Sequence, residues 1–200
     1  MLIGIDLDNT VVCYEQAIVC LIDELFNFPP EVPRSKLGLR DYLRREGRES
    51  EWTAFQGELY GPGMRYAKPY ACAIETIRHL SAIGHRFVIV SHRSLRPYAG
   101  APHDLHQAAR QWAAHWLVAP GLFVDDDIHL LQSRDAKVSA IAQLGCLVFV
   151  DDLPEVLEAP GFPSKTRGVL FEPEDVARSY SGQYRISAWK QLPELVARWA

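Results

Sequence analysis

The opening stretch MLIGIDLDNT sets two carboxylates, Asp6 and Asp8, at the end of a short apolar run. Residues 2–7 (LIGIDL) read as a β-rich apolar run, a strand that ends in carboxylates. Comparable β-rich runs occur at 87–91 (FVIVS), 121–125 (GLFVD), 146–151 (CLVFVD) and 169–172 (VLFE). Between them, residues 71–83, 103–118 and 134–144 carry apolar side chains at helical spacing, the first and last stopping before Gly84 and Gly145. Strands alternating with helices predict an α/β, Rossmann-like fold with a mostly parallel sheet covered on both faces.

The alternation breaks once. From 13 to 68 no strand-like run appears; instead come a helix candidate (15–26), a proline-broken turn (FPPEVP, 28–33), a basic amphipathic piece (36–47), an aromatic piece (EWTAFQGELYG, 51–61) and a Gly-Pro-Gly break. The expected organisation is an α/β core of 1–12 and 69–200 with a small helical cap, 13–68, inserted after the first strand. Residues 160–200 are expected to add an edge strand and a last amphipathic helix around Trp189 and Leu192–Trp199. No internal repeat or low-complexity linker is present.

In open α/β sheets ligands bind beyond the carboxyl ends of the strands. Three of the runs end in reactive side chains there: Asp6 and Asp8, then Ser91-His92-Arg93, then Asp151-Asp152. If these strands are adjacent, four carboxylates converge, and each close pair repels by roughly 4 kcal/mol at 4 Å and an effective dielectric of ~20. The arrangement demands a cation. Magnesium fits best, because it takes hard oxygen ligands, keeps waters and binds through a few carboxylates plus substrate phosphate. Lys137, at the start of the helix before CLVFVDD, is placed to add a second positive charge. An EF-hand-type calcium loop is excluded, since its central glycine and distant glutamate are missing after DLDN.

Composition narrows the partners. A net charge of -4 over 200 residues offers no basic footprint for nucleic acid. No apolar run approaches a bilayer span, and the first residues already read as a core strand rather than a signal peptide. Cys13, Cys20, Cys72 and Cys146 sit singly among apolar neighbours, which predicts reduced core thiols in a cytoplasmic protein.

Taken together, Asp6-Leu7-Asp8-Asn9-Thr10, Ser91, Lys137 and Asp151-Asp152 resemble, in order and spacing, the four motifs of the haloacid dehalogenase superfamily, most of whose members are magnesium-dependent phosphohydrolases. The resemblance spans residues 2 to about 153. DLDNT, SHRS and FVDD together are similar to a bacterial group within that superfamily. One departure is Asn9 where glycine is commoner, which a turn accommodates. The resemblance implies that Asp6 is the nucleophile forming an aspartyl-phosphate and Asp8 the acid and base for the leaving oxygen and for water. The second carboxylate disfavours dehalogenation. The metal set implied is Asp6, the Asp8 carbonyl, Asp151 and Asp152, the last direct or through water. Asn9, Ser91, His92, Arg93 and Lys137 are the implied phosphate- and substrate-binding residues, with Thr10 ordering the loop.

The implied substrate is a small phosphorylated metabolite, a sugar phosphate or nucleotide; phosphoryl transfer to another acceptor and a non-catalytic sensor of a phosphorylated ligand are the alternatives. Arg34, Lys36, Arg40, Arg44, Arg45 and Arg48 of the insertion are read as a solvated face, because Glu46, Glu49 and Glu51 are interleaved with them. Trp52, Phe55 and Tyr60 are read as the insertion's own core. Arg93 and Arg96, just beyond a strand end, suit clamping a second anionic group. His103 and His106 are read as an exposed helix start, and Asp125-Asp126-Asp127 as a solvated turn.

Overall fold

The computed structural model describes residues 1–26, 28–173 and 179–199. Its main sheet has six strands: β1 (Leu2–Ile5), β4 (Arg86–His92), β5 (Ile128–Leu131), β6 (Val148–Asp151), β7 (Arg167–Phe171) and β8 (Tyr184–Ile186), in the order β5-β4-β1-β6-β7-β8. Every pair is parallel, so the helices between them are crossovers. These include α4 (Ala73–Ala82), α6 (Arg134–Leu144) and the short α7 (Pro154–Leu157), and α8 (Leu192–Ala197) follows β8. Two short strands, β2 (Val12–Cys13) and β3 (Lys68–Pro69), pair where the chain leaves and rejoins the sheet-bearing part.

The middle of the sheet is buried because β1, β4 and β6 carry mainly Val, Ile, Leu and Phe. Val88, Val90, Phe149 and Leu170 join Val138 and Ile141 of α6 in one apolar cluster. Gly4 of β1 lets the Phe149 ring lie where a Cβ would sit 2.5 Å away, which is why a glycine is tolerated inside a central strand. α6 starts at Ser133, whose Oγ accepts from the Ala136 amide at 3.2 Å, and ends at Gly145 in the left-handed conformation (φ 71°).

The chain divides into two compact units: Met1–Val12, Pro69–Arg93 and Ala114–Ala200 form the α/β unit, and Cys13–Lys68 with Ser94–Ala113 form a helical one. The helical unit holds α1 (Glu15–Leu21), continued as a π-helical turn, with α2 (Lys36–Arg45), α3 (Glu49–Tyr60) and α5 (Leu105–Ala113). Residues 94–113, expected with the α/β core, thus pack with the helical residues. The Trp112 indole donates to the Ala67 carbonyl at 3.0 Å, His103 Nε2 lies 2.8 Å from Glu58 Oε1, and Pro97 closes on Gly57.

Two sequence expectations are corrected. Residues 121–125 do not form a strand; the Val124 amide bonds the Asp127 carboxylate, Asp125–Asp127 make a 3₁₀ turn, and the strand begins after it at Ile128. Of the four cysteines read as core, only Cys146 is buried, while Cys72 is exposed just ahead of α4. All four are free thiols.

Candidate active site

β1 ends at Ile5, paired with Val150 of β6, and the Asp6 amide continues the ladder to the Val150 carbonyl at 2.9 Å. Asp6 therefore emerges level with Asp151, the last residue of β6. Oxygens of Asp6, Asp151 and Asp152 all lie within 4.8 Å of one another, and all three residues are buried. Beyond Asp6 the chain turns sharply: the Leu7 carbonyl accepts from the amides of both Val11 (3.1 Å) and Val12 (2.9 Å). Asn9 makes that turn at φ 55°, a conformation Asn adopts more readily than most residues. Thr10 Oγ1 reaches back to Asp6 Oδ2 at 3.5 Å, as a loop-ordering residue should.

Lys137 enters from the first turn of α6 with no exposed surface. Its Nζ is 2.6 Å from Asp6 Oδ1 and 2.7 Å from Asp151 Oδ2, and 5.5 Å from the centre of the Phe149 ring. One ammonium thus pairs with two members of a cluster of three buried carboxylates. Burial, and then the charge of Asp6, push the Asp151 carboxyl up to about 7 despite Lys137. Burial works against the Lys137 charge too, but Asp151 and Asp6 outweigh it and hold the ammonium above its ordinary range. A cluster of hard oxygen donors with this excess of negative charge suits a magnesium ion.

Ser91, near the end of β4, is buried, and its Oγ has no hydrogen-bond partner among the described residues. A buried hydroxyl without a partner is costly, and a phosphoryl oxygen would satisfy it. His92 Nδ1 is likewise unpartnered; burial, then the Lys137 charge, lowers the His92 pKa and favours the neutral ring. Arg93 lies against Asp8, Nε 3.2 Å from Oδ2 and Nη2 bonded to Oδ1. The expected substrate-binding Arg93 thus has Asp8 as a partner, a pairing across 85 positions that no local signal gives.

The α/β unit thus brings together Asp6, Asp151, Asp152 and Lys137, with Ser91 and His92 on the neighbouring strand β4 and Arg93 joined to Asp8. Arg96 falls in the helical unit, donating to the Pro102 carbonyl at 2.6 Å, and His103 is committed to Glu58. The insertion's basic residues are a solvated face: Arg44 pairs with Glu49 and Arg48 with Glu51. Trp52 and Phe55 are buried in the unit's own core, and Tyr60 meets Tyr14 edge-on at 5.2 Å. Asp125 and Asp126 are exposed, and the half-buried Asp127 accepts from the Val124 amide. Another contribution went unforeseen, because residues 160–200 were read as carrying no chemistry. The fully buried Trp189 donates its indole N–H to the Thr10 carbonyl at 3.0 Å and braces the loop that carries Asp6 and Asp8.

No family model and no curated protein matches the sequence. Solved structures do match along nearly the whole chain. YfnB from Bacillus subtilis, assigned to the HAD hydrolases and bound to magnesium, superposes with a TM-score of 0.62 at 13% identity, covering 98% of this chain and 97% of its own. The chain has the haloacid dehalogenase-like fold. A Clostridium acetobutylicum protein predicted to be a phosphatase gives a TM-score of 0.60 at 14% identity over 98% of both chains. A HAD family hydrolase from Deinococcus radiodurans, with bound phosphate and sodium, gives 0.58 at 16% identity, covering 98% of this chain and 94% of that one. In this fold the six parallel strands and the helical insertion after β1 are as expected, and among the described residues no helix is long and apolar enough to cross a membrane.

Proposed function

We propose that the chain is a magnesium-dependent phosphatase that hydrolyses a small phosphomonoester, a sugar phosphate or nucleotide, through an aspartyl-phosphate. The observation that carries this reading is the buried cluster of Asp6, Asp151 and Asp152, two of which pair with Lys137. Magnesium bound to a haloacid dehalogenase-like relative, and phosphate bound to another, support it.

In this reading an Asp6 carboxylate oxygen attacks phosphorus while Asp8 gives a proton to the departing oxygen. Asp8 then takes a proton from the water that attacks the aspartyl-phosphate, releasing phosphate and restoring Asp6. Lys137 keeps Asp6 oriented and supplies positive charge where the phosphoryl oxygens gain negative charge. Ser91 Oγ and the His92 amide donate to those oxygens, with Asn9 in the loop that bears Asp8. Asp6, the Asp8 carbonyl, Asp151 and Asp152 would hold the magnesium, which when bound neutralises the carboxylates and draws charge off the phosphoryl group. The helical unit is the part of the chain assigned to substrate selection.

The test is phosphate release from sugar phosphates, nucleotides and phospho-acids, with magnesium or with chelator. Turnover that requires magnesium and falls by at least about 10³ in Asp6→Asn is expected. Ligand binding without turnover across the panel would refute the enzyme reading.

A further inference from the structure

We infer that Arg93 is the positioning residue of Asp8, holding the proton-transferring carboxylate in line with the leaving oxygen instead of anchoring substrate; the inference rests on the phosphatase reading above. Two observations carry it. The first is the two-point contact: Nε faces Oδ2 at 3.2 Å and Nη2 bonds Oδ1, so one planar fork engages both carboxylate oxygens. Such a pair fixes the carboxylate in rotation as well as position. The second is that the Arg93 side chain is only 6% exposed, and its backbone amide donates to the Leu131 carbonyl of β5 at 2.9 Å. The guanidinium is thereby fixed to the end of the sheet, whereas Asp8 sits on a loop with a side chain 16% exposed.

A general acid must lie within hydrogen-bond reach of the atom it protonates, and a displacement of about 1 Å costs on the order of a hundredfold in rate. Asp8 follows β1 by three residues, so its aim depends on what holds its side chain. Arg93, 85 positions away in sequence, supplies that hold. In the first half-reaction the bond from the Asp6 oxygen to phosphorus forms, the bond from phosphorus to the leaving oxygen breaks, and the proton moves from Asp8 to that oxygen. In this half-reaction, the one kcat/KM reports, loss of aim therefore harms substrates whose leaving oxygen needs the proton, whereas the later attack of water is common to all substrates.

The discriminating experiment compares kcat/KM for glycerol phosphate, whose alkoxide must be protonated, with that for 4-nitrophenyl phosphate, whose phenolate leaves without help. Wild type, Arg93→Met, Arg93→Lys, Asp8→Asn and the double variant Arg93→Met/Asp8→Asn are measured, with circular dichroism confirming the fold. Arg93→Met is expected to lose about tenfold or more on the alkyl ester beyond its loss on the aryl ester. Arg93→Lys, which keeps the charge but not the fork, falls between, and it carries the test if the methionine variant is unfolded. The double variant is expected to be no worse than Asp8→Asn, because both changes remove one function. Equal losses on the two esters, a rise in KM alone, or additive losses in the double variant would overturn the inference while leaving the phosphatase intact. A wild-type protein that turns over neither ester refutes the phosphatase reading and this inference with it.

Discussion

Lys137→Met removes the side-chain cation that, alone among the described residues, is paired with both Asp6 and Asp151. The methionine fills a similar volume, so the perturbation is almost purely one of charge. In the wild type Nζ stands 2.6 Å from Asp6 and 2.7 Å from Asp151, with no exposed surface on the lysine or on Asp151. Removing one partner of a buried pair typically costs about 3–5 kcal/mol, because the other charge is left uncompensated. For a chain of this size that corresponds to a fall in Tm of roughly 6–20 °C. The pH dependence gives the effect its signature. Asp151 already titrates near 7 when folded, against an ordinary carboxylate value when unfolded, so the folded state binds more protons between the two and stability falls as pH rises through that window. The lysine's own contribution has the opposite placement: its raised pKa means the stabilisation is fully present below the ordinary lysine range and is lost only above it. Without the lysine, the Asp151 carboxyl moves higher still. The Tm deficit of Lys137→Met, measured in chelator, is therefore expected to be larger at pH 8.5 than at pH 6, and a further Asp151→Asn change should recover much of it. A deficit below about 2 °C that is equal at both pH values would refute the buried counter-charge.

Magnesium must displace a proton from Asp151 when that group is protonated, so its apparent affinity in calorimetric titrations should be about tenfold weaker at pH 6 than at pH 8, given a carboxyl titrating near 7. Trp189→Phe leaves the buried Thr10 carbonyl without its indole donor; denaturant melts should show a loss of about 1–3 kcal/mol, accompanied by slower turnover as the Asp8 loop loosens. Asn9 holds φ 55°, so Asn9→Gly should be near neutral, whereas Asn9→Val should cost about 1–2 kcal/mol in the same melts.

What could be read in the sequence was whatever is written locally. The apolar runs that end in Asp6, Ser91 and Asp151 announce strand ends, and parallel pairing then draws those ends together. Asn9 could be placed in a turn because its conformational tolerance belongs to the residue itself. The strand expected at 121–125 failed for a local reason of another kind. GLFV has strand composition, but the Val124 amide finds the Asp127 carboxylate, and the half-buried IHLL behind the acidic turn takes the sheet position instead. The remaining omissions are long-range. Arg93 finds Asp8 across 85 positions, Trp112 finds Ala67 across 45, and Trp189 finds Thr10 across 179. No periodicity records such pairings, since each is set by how the crossovers stack the elements. The same holds for residues 94–113, whose helical pattern gives no sign of which unit will receive it.

Strand β1 lies in the middle of the sheet, between β4 and β6, although it precedes both of them in the chain. A ribosome adding about 5–20 residues per second delivers its two neighbours late, and the indole that braces its loop later still. Until then LIGI is an unpaired apolar segment with both edges open, the kind of surface that chaperones bind and that aggregates if left bare. Folding should accordingly be slow and governed by distant pairings. The same centrality that encloses Asp6 makes the strand leading to it among the last parts of the molecule to become secure.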